Sequence, residues 1–432
     1  MTLRVLVCWA WLAIPLAGAE EYAELFRQAA LDTGRGDYVQ AIAKYKAALV
    51  IRPGSAEALN NLAVVYYQAK EYQAALATAA GVWQGHKELK SAALIAGLAA
   101  IQCNRPKDAL APLGALVAED DKNRDALLGL ASAHVALEEL TPAAELYERQ
   151  TARVPGDATA WYGLAICYER LAENASRRLS RIPGQTSYSK RLLGEYLQGA
   201  GGTRLAAEAF GDAEATMIEP SPEAEREYQS ARSLADKSRN AFSHFVELAP
   251  DSWQAALFEG DVERQHNNLS AALAHYKRAS EAQPNNAAAQ LGQGTVYWQI
   301  GEFDRAAECL RLALQLNPHA TQATFELANI AVRRHQDKDA IPLLEEFLKA
   351  QPDAVSARAD LGRAYAHIGQ FEKAAVALRK AAVSDERGDI EYQLATVLRK
   401  LGRIAEADAA LKRSAELRQA QLQREQKLRE TP

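Results

Sequence analysis

A chain of 432 residues with 50 Lys and Arg against 55 Asp and Glu carries a formal net charge of −5 and has a pI near 6.0. That balance argues against non-specific nucleic-acid binding, which needs a basic footprint. Hydrophobic residues make up 48% of the chain, but much of this is alanine, which suits close helix packing better than one deep core. No run of alternating β-branched residues bounded by turns reads as a strand, so an all-α fold is expected.

At the N-terminus Arg4 precedes the apolar run VLVCWAWLAIPLAGA, and Ala17-Gly18-Ala19 gives the small-x-small pattern of a signal-peptidase site before Glu20-Glu21. The run is short for a membrane span of roughly 20 residues. Residues 1–19 are therefore read as a cleaved secretory signal, placing the mature chain in the periplasm or outside the cell. An uncleaved anchor is the alternative, and only then would the chain touch a membrane. No cysteine follows the small residues, which argues against a bacterial lipoprotein. Cys103, Cys167 and Cys309 lie far apart and make no disulfide framework; they are expected as small buried apolar residues.

From Ala23 the chain reads as successive pairs of short amphipathic helices. The first pair runs to Pro53, with Ala29, Tyr38, Ala41, Tyr45 and Ala48 at helical spacing. The second carries Leu62, Ala63, Tyr66, Tyr72 and Ala75. The third keeps Gly97 and Ala109 but has no aromatics. The fourth, with Leu130, Ala131, Ala143 and Tyr147, ends at Pro155. A fifth opens on Trp161, Leu164, Ala165 and Tyr168 and then departs: where its second helix should start stands ENASRRLSRIPGQT, so the first helix is expected to run past its normal end, up to Pro183-Gly184. A sixth is expected on Leu193, Gly194, Ala206, Phe210 and Ala213, with GAGG as its turn, closing near Pro220. Residues 221–250 read as a degenerate helix pair, Tyr228 and Ala231 on one helix, Phe242, Phe245 and Leu248 on the next.

From Trp253 the pattern is regular again, with pairs ending at Pro284, Pro318 and Pro352. A further pair holds Leu361, Gly362, Tyr365, Gly369, Phe371, Ala374 and Ala381. The last holds Leu394, Ala395, Gly402 and Ala407, and a polar helical tail follows. The clearest unit is Ala287 to Pro318. Its first helix should end near Gln299 at the Gly301 break, and its second should start near Phe303 and stop at Pro318. Gly294 and Ala306 are small where its helices must approach, with Tyr297 and Phe303 large beside that contact.

Pro250, Pro284, Pro318 and Pro352 are each 34 residues apart, and Pro53 and Pro155 are 102 apart, three such steps. A helix–turn–helix period of 34 with small, aromatic and proline residues at fixed offsets resembles the tetratricopeptide repeat family, with about eleven or twelve units here. The resemblance implies an α-solenoid, a right-handed superhelix of helix pairs with an irregular central section, expected as one continuous body. The expected divisions are the signal over 1–19, regular repeats over 20–155, irregular repeats with an extended helix over 156–250, regular repeats over 251–417, and a polar capping tail over 418–432.

Repeats occupy nearly the whole chain and leave nothing to build an enzyme domain. The eight histidines form no pair with metal-ligand spacing along the sequence, and no phosphate loop or nucleophile elbow occurs. No catalysis, metal or cofactor is expected.

A solenoid of this kind binds partners in a groove lined by its first helices. By resemblance the groove positions are the second, fifth, ninth, twelfth and thirteenth of each unit. In the N-terminal array these include Phe26, Asn60, Val64, Tyr67, Leu94, Leu98 and Tyr162, a largely apolar wall. In the C-terminal array they include Arg264, Trp298, Gln299, Phe325, Asn329, Arg333, Arg363, His367, Tyr392, Arg399 and Lys400, where aromatics alternate with cations. The functional expectation is a protein-interaction scaffold whose C-terminal groove takes an acidic segment with apolar anchors; the blander one is that these side chains are solvated or fill gaps between helices. A carrier for an extended envelope polysaccharide is the rival from another class. The clamp by which some family members grip the C-terminal carboxylate of a tail is absent: Asn61 matches its middle residue, but Phe26, Ala30, Ser91 and Ile95 stand at the other places. Arg177, Arg178 and Arg181 form a basic patch, read as a solvated face or as a contact for an acidic partner or anionic lipid.

Overall fold

The computed structural model describes residues 10–182, 186–199, 209, 210, 213 and 221–430. Among the described residues the chain is all-α, with 21 helices and no strand. The helices pair as expected: α1 (Ala10–Arg35) with α2 (Tyr38–Ile51), α3 (Ala56–Gln68) with α4 (Tyr72–Gly85), α5 (Lys90–Gln102) with α6 (Pro106–Glu119), and α7 (Arg124–Ala136) with α8 (Leu140–Arg153). The centre holds α9 (Ala158–Leu179), α10 (Thr186–Gly199) and α11 (Pro222–Leu248). Regular pairs then follow: α12 (Trp253–Gln265) with α13 (Leu269–Ala282), α14 (Ala287–Gln299) with α15 (Phe303–Leu316), α16 (Thr321–Arg333) with α17 (Asp337–Ala350), α18 (Val355–His367) with α19 (Phe371–Ala382), and α20 (Asp389–Lys400) with α21 (Ile404–Glu430). Within each run of regular pairs the helices stack as a solenoid of tetratricopeptide-type helix pairs.

Local chemistry sets these boundaries. Ser55, Asn123, Ser252 and Asn286 cap first helices, each side chain accepting the amide three residues on. The turn inside each pair needs one left-handed residue. Gly301, Gly369 and Gly402 supply it, while Lys70, Asn104, Glu138, Asn267 and His335 adopt the same positive φ without that freedom.

One packing rule recurs. Where a first helix carries glycine, a large side chain on a facing second helix lies where a Cβ would be. A Cβ at Gly97 would fall 2.3 Å from Leu113, at Gly294 2.7 Å from Leu310, and at Gly362 2.6 Å from Leu378. The next first helix makes room on the other side: Tyr276 fits against Gly260 of its own unit and Gly292 of the following one. Leu310 and Ala306 are fully buried and Tyr297 nearly so, as the sequence of that unit requires.

Two compact units divide the chain. One holds the chain up to Arg178 together with Arg226–Leu248; the other holds Leu179–Glu225 and everything from Ala249 on. In the first unit the central section differs from expectation. Residues 222–248 form one unbroken helix, not a degenerate pair, because no glycine or proline interrupts them. Its C-terminal part packs antiparallel to the extended α9 and serves as that helix's missing partner. Ser238 Oγ donates to the Ala165 carbonyl at 3.1 Å, Tyr162 meets the Phe242 and Phe245 rings, and Trp161 meets His244. Lys237 lies over Tyr168, and Arg178 pairs with Glu227 at 2.8 Å. Arg178 of the expected basic patch is therefore engaged within the fold. Helices α9 and α11 thus pair with each other across the intervening residues, and the sixth expected pair falls largely outside the described residues.

Within the second unit, Gly194 of that insertion lies against Phe210, a Cβ there falling 2.7 Å from the ring. Leu193, expected inside, is 50% exposed. Pro183, Gly184, Gly201, Gly202, Ala206 and Pro220 lie outside the described residues, as do residues 1–9 of the expected signal. Helix α1 runs without a break through Ala17-Gly18-Ala19. No helix among the described residues is long and apolar enough to cross a membrane. The polar tail continues α21 as one helix, tied back by Arg418 to Asp389 at 3.3 Å. Cys167 is fully buried, its thiol pushed up to about 12 by burial, whereas Cys103 and Cys309 are only half-buried.

Candidate partner-binding face

In each unit the first helices pack on one another in series: α1, α3, α5 and α7 in one, and α12, α14, α16, α18 and α20 in the other. These first helices carry every position named above as a candidate contact except Tyr162, which lies on α9.

In the N-terminal row most of these side chains are half-buried and committed to packing. Phe26 meets Tyr45 edge-on at 5.5 Å, Tyr67 meets Tyr72 at 5.4 Å, and Leu98 reaches over Gly129. Asn60 is buried, accepting from Ser91 Oγ at 2.8 Å. Tyr162 fills the seam with α11. Val64 and Leu94 are half-buried beside them.

The C-terminal row is built on polar groups that sequence inspection passed over. Glu326 and Asp360, 34 residues apart and so at one position of successive repeats, are almost fully buried. Glu326 accepts from Thr295 Oγ1 at 2.9 Å and from Gln322 at 2.7 Å, and burial pushes its carboxyl above the usual range against those hydrogen bonds. Asp360 accepts from Asn329 Nδ2 at 3.3 Å and pairs with the Arg363 terminal nitrogen. Asn329 Oδ1 in turn accepts from Arg333 Nε at 2.9 Å. The result is a chain of contacts Arg333, Asn329, Asp360, Arg363 across two repeats. Asp337, also buried, faces His367 Nδ1 at 3.1 Å.

Several expected cations are thereby partnered. Arg264 pairs with Asp261 at 3.4 Å and touches the Tyr276 hydroxyl, and Arg399 pairs with Asp408 at 3.3 Å. Phe325 stacks on Phe347 at 4.8 Å and belongs partly to the core. Thr295 is held by Glu326. Gln299, Lys400 and Tyr392 are exposed, with Arg418 over the Tyr392 ring.

What remains is concentrated on α14, α16, α18 and α20. The Arg333 guanidinium lies 6.0 Å from the Trp298 ring and 5.9 Å from that of Phe303. Trp298 Nε1, Arg363 Nε and Gln393 Oε1 are buried with no hydrogen-bond partner. Burial, and then the charge of Arg333, push the Arg363 guanidinium below its ordinary value. Arg333, hydrogen-bonded to Asn329, and Arg363, paired with Asp360, thus stand beside unpaired donors. The same end of the row brings together His335, Asp337 and His367, whose donor atoms all lie within 4.8 Å of one another. Neither His335 nor Gln393 was singled out by sequence, because what joins them to the site is contact between repeats and not local spacing.

Comparison with known proteins agrees with the architecture. The description "TPR repeat" matches residues 33–70 and 260–301, and "Tetratricopeptide repeat" matches 55–89, 96–151, 291–341, 325–389 and 392–421. Curated relatives include the protein CTR9 homolog of Arabidopsis thaliana, 28% identical over 149 residues (32% of this chain, 13% of that protein). The peroxisomal targeting signal receptor of Kluyveromyces lactis is 27% identical over 124 residues (28% and 22%). The Vi polysaccharide export protein VexE of Salmonella typhi is 34% identical over 94 residues (21% and 14%). The chain thus spans no more than about a quarter of the length of these relatives. Among solved structures, YrrB, described as a TPR protein with an unusual peptide-binding site, is 21% identical with a TM-score of 0.38, covering 41% of this chain and 92% of its own. MamA from Desulfovibrio magneticus RS-1 is 22% identical with a TM-score of 0.38, covering 40% and 97%.

Proposed function

The chain belongs to the tetratricopeptide-repeat family, and on that premise we propose that it is a non-catalytic scaffold in the secretory or envelope compartment whose C-terminal groove holds an acidic partner segment. The compartment rests on Arg4, the apolar run after it and Ala17-Gly18-Ala19. The groove rests above all on Arg333, exposed beside the Trp298 and Phe303 rings, with the buried Trp298 Nε1 and Arg363 Nε lacking a hydrogen-bond partner. A buried donor without an acceptor is costly. A carboxylate arriving there would accept from the exposed Arg333, while an apolar side chain would find the Trp298 and Phe303 rings. The peptide-binding habit that the receptor relatives' name implies fits this reading.

The test is a titration of the full chain with acidic peptides containing one aromatic residue, followed by tryptophan fluorescence across a salt series. Arg333→Glu should weaken binding about tenfold or more while leaving far-UV helicity unchanged, since Arg333 is exposed. Unchanged affinity in that variant would remove the groove from the reading. The similarity to a polysaccharide export protein supports a second reading, a carrier for an extended acidic glycan. Glycans of equal charge density run in the same titration decide between them: preference for a peptide, lost when its anchor residue is moved, supports the first.

A further inference from the structure

We propose that His335, Asp337 and His367 form a binding site for a divalent transition-metal ion, zinc foremost, bridging two successive repeats. His335 lies in the turn between α16 and α17, Asp337 is the first residue of α17, and His367 is the last residue of α18 in the next repeat. The imidazoles are 5.6 Å apart between ring centroids, and one donor atom from each of the three residues lies within 4.8 Å of the other two.

The donor set is the kind such an ion selects. Two neutral imidazole nitrogens and one carboxylate oxygen hold zinc with a further position open, and the same set suits other borderline divalent metals. The carboxylate is the unusual part. Asp337 is 6% exposed, and among the described residues its only hydrogen-bond partner is His367 Nδ1, at 3.1 and 3.2 Å from its two oxygens. A buried carboxylate with a single imidazole partner keeps most of its lone pairs unfilled. Both ring nitrogens of His335 lack a hydrogen-bond partner among the described residues, and both histidines are exposed, so an ion has access.

The distances fit. Donors about 2.1 Å from a tetrahedral ion stand about 3.4 Å from one another. His367 and Asp337 are already close to that separation, and the exposed His335 ring has only to swing inward. His335 occupies the left-handed turn position, φ 56°, where Gly301 and Gly369 stand in neighbouring repeats. Glycine there is therefore a fold-neutral way to delete the ligand.

The ion would tie one helix pair to the next at the edge of the groove. Binding to the folded form alone then raises stability with ion concentration.

The experiment is calorimetric titration of tag-free, chelator-treated full chain with zinc chloride, paired with thermal melts and repeated with cobalt to read ligand type from its visible spectrum. Wild type should take up one ion with an upward melting shift. His335→Gly, His367→Gln and Asp337→Asn should each weaken uptake at least about tenfold, since even outer-shell losses cost about 10–100-fold, and should abolish the shift. His134→Gln, a histidine of the other unit, should change nothing. Melting of the zinc-free His335→Gly chain at or above wild type would establish that it folds. Equal zinc affinity in wild type and in the His335→Gly/His367→Gln double variant would overturn the site, as would the absence of any uptake by wild type.

Discussion

The two arrays share one packing rule and differ in what they do with polar groups. In the N-terminal unit the buried carboxylate Asp157 is saturated: Arg124 donates to it twice, at 2.7 and 2.9 Å, and Gln150 once, at 2.8 Å. Burial raises its pKa, but these donors outweigh that and hold it below the usual range. In the C-terminal unit Glu326 has neutral donors alone, and burial holds it above that range. The first unit has settled its electrostatics internally and presents an apolar, half-buried row. The second leaves the Trp298 and Arg363 Nε donors unpaired, and the proposed docking surface rests on them.

The largest effects should come from the rule both arrays share. Gly163→Ala in one unit and Gly292→Ala in the other place a Cβ 2.3 and 2.5 Å from the rings of Tyr147 and Tyr276. Each is expected to destabilise its unit by about 1–3 kcal/mol through overpacking, seen as an early transition in denaturant melts. If one substitution is silent, the rule is not common to both halves.

Smaller and opposite effects should separate the carboxylates. Asp157→Asn removes a group whose folded pKa is depressed, so the loss, about 1–3 kcal/mol, is full at neutral pH. It fades as the pH falls through the folded value. Glu326→Gln keeps the shape and both donors and removes a charge that burial opposes. It should raise stability by about 1 kcal/mol above the folded pKa, with the gain vanishing below the ordinary carboxylate value. Melts at neutral pH read both signs, and lowering the pH should remove the Glu326→Gln gain first and the Asp157→Asn loss only below the ordinary carboxylate range; the same sign for both substitutions at neutral pH would erase the contrast.

Much of this was legible in the sequence. The Ala287–Pro318 unit has the helix limits, turn glycine and buried contacts its residues dictate, because those depend on neighbours within one repeat. The central section was not, because the partner of α9 lies beyond an insertion and no local signal marks Ser238 as a match for Ala165. The groove was half legible. Fixed offsets found Arg333, Arg363 and Trp298, but counting cations overstated the available charge: Arg264, His367 and Arg399 face Asp261, Asp337 and Asp408. Arg363 likewise pairs with Asp360, which stands 34 residues after Glu326, and that recurrence was open to reading.

The claim that the C-terminal row alone is the docking surface is tested most directly by crosslink mapping. An acidic peptide carrying a photoreactive group at its aromatic position is irradiated with the full chain, and the adducts are located by mass spectrometry. Adducts should fall on α14, α16 and α18, around Trp298, Arg333 and Arg363, and fade with added salt. Adducts concentrated on α3, α5 and α7, or indifferent to salt, would contradict the account.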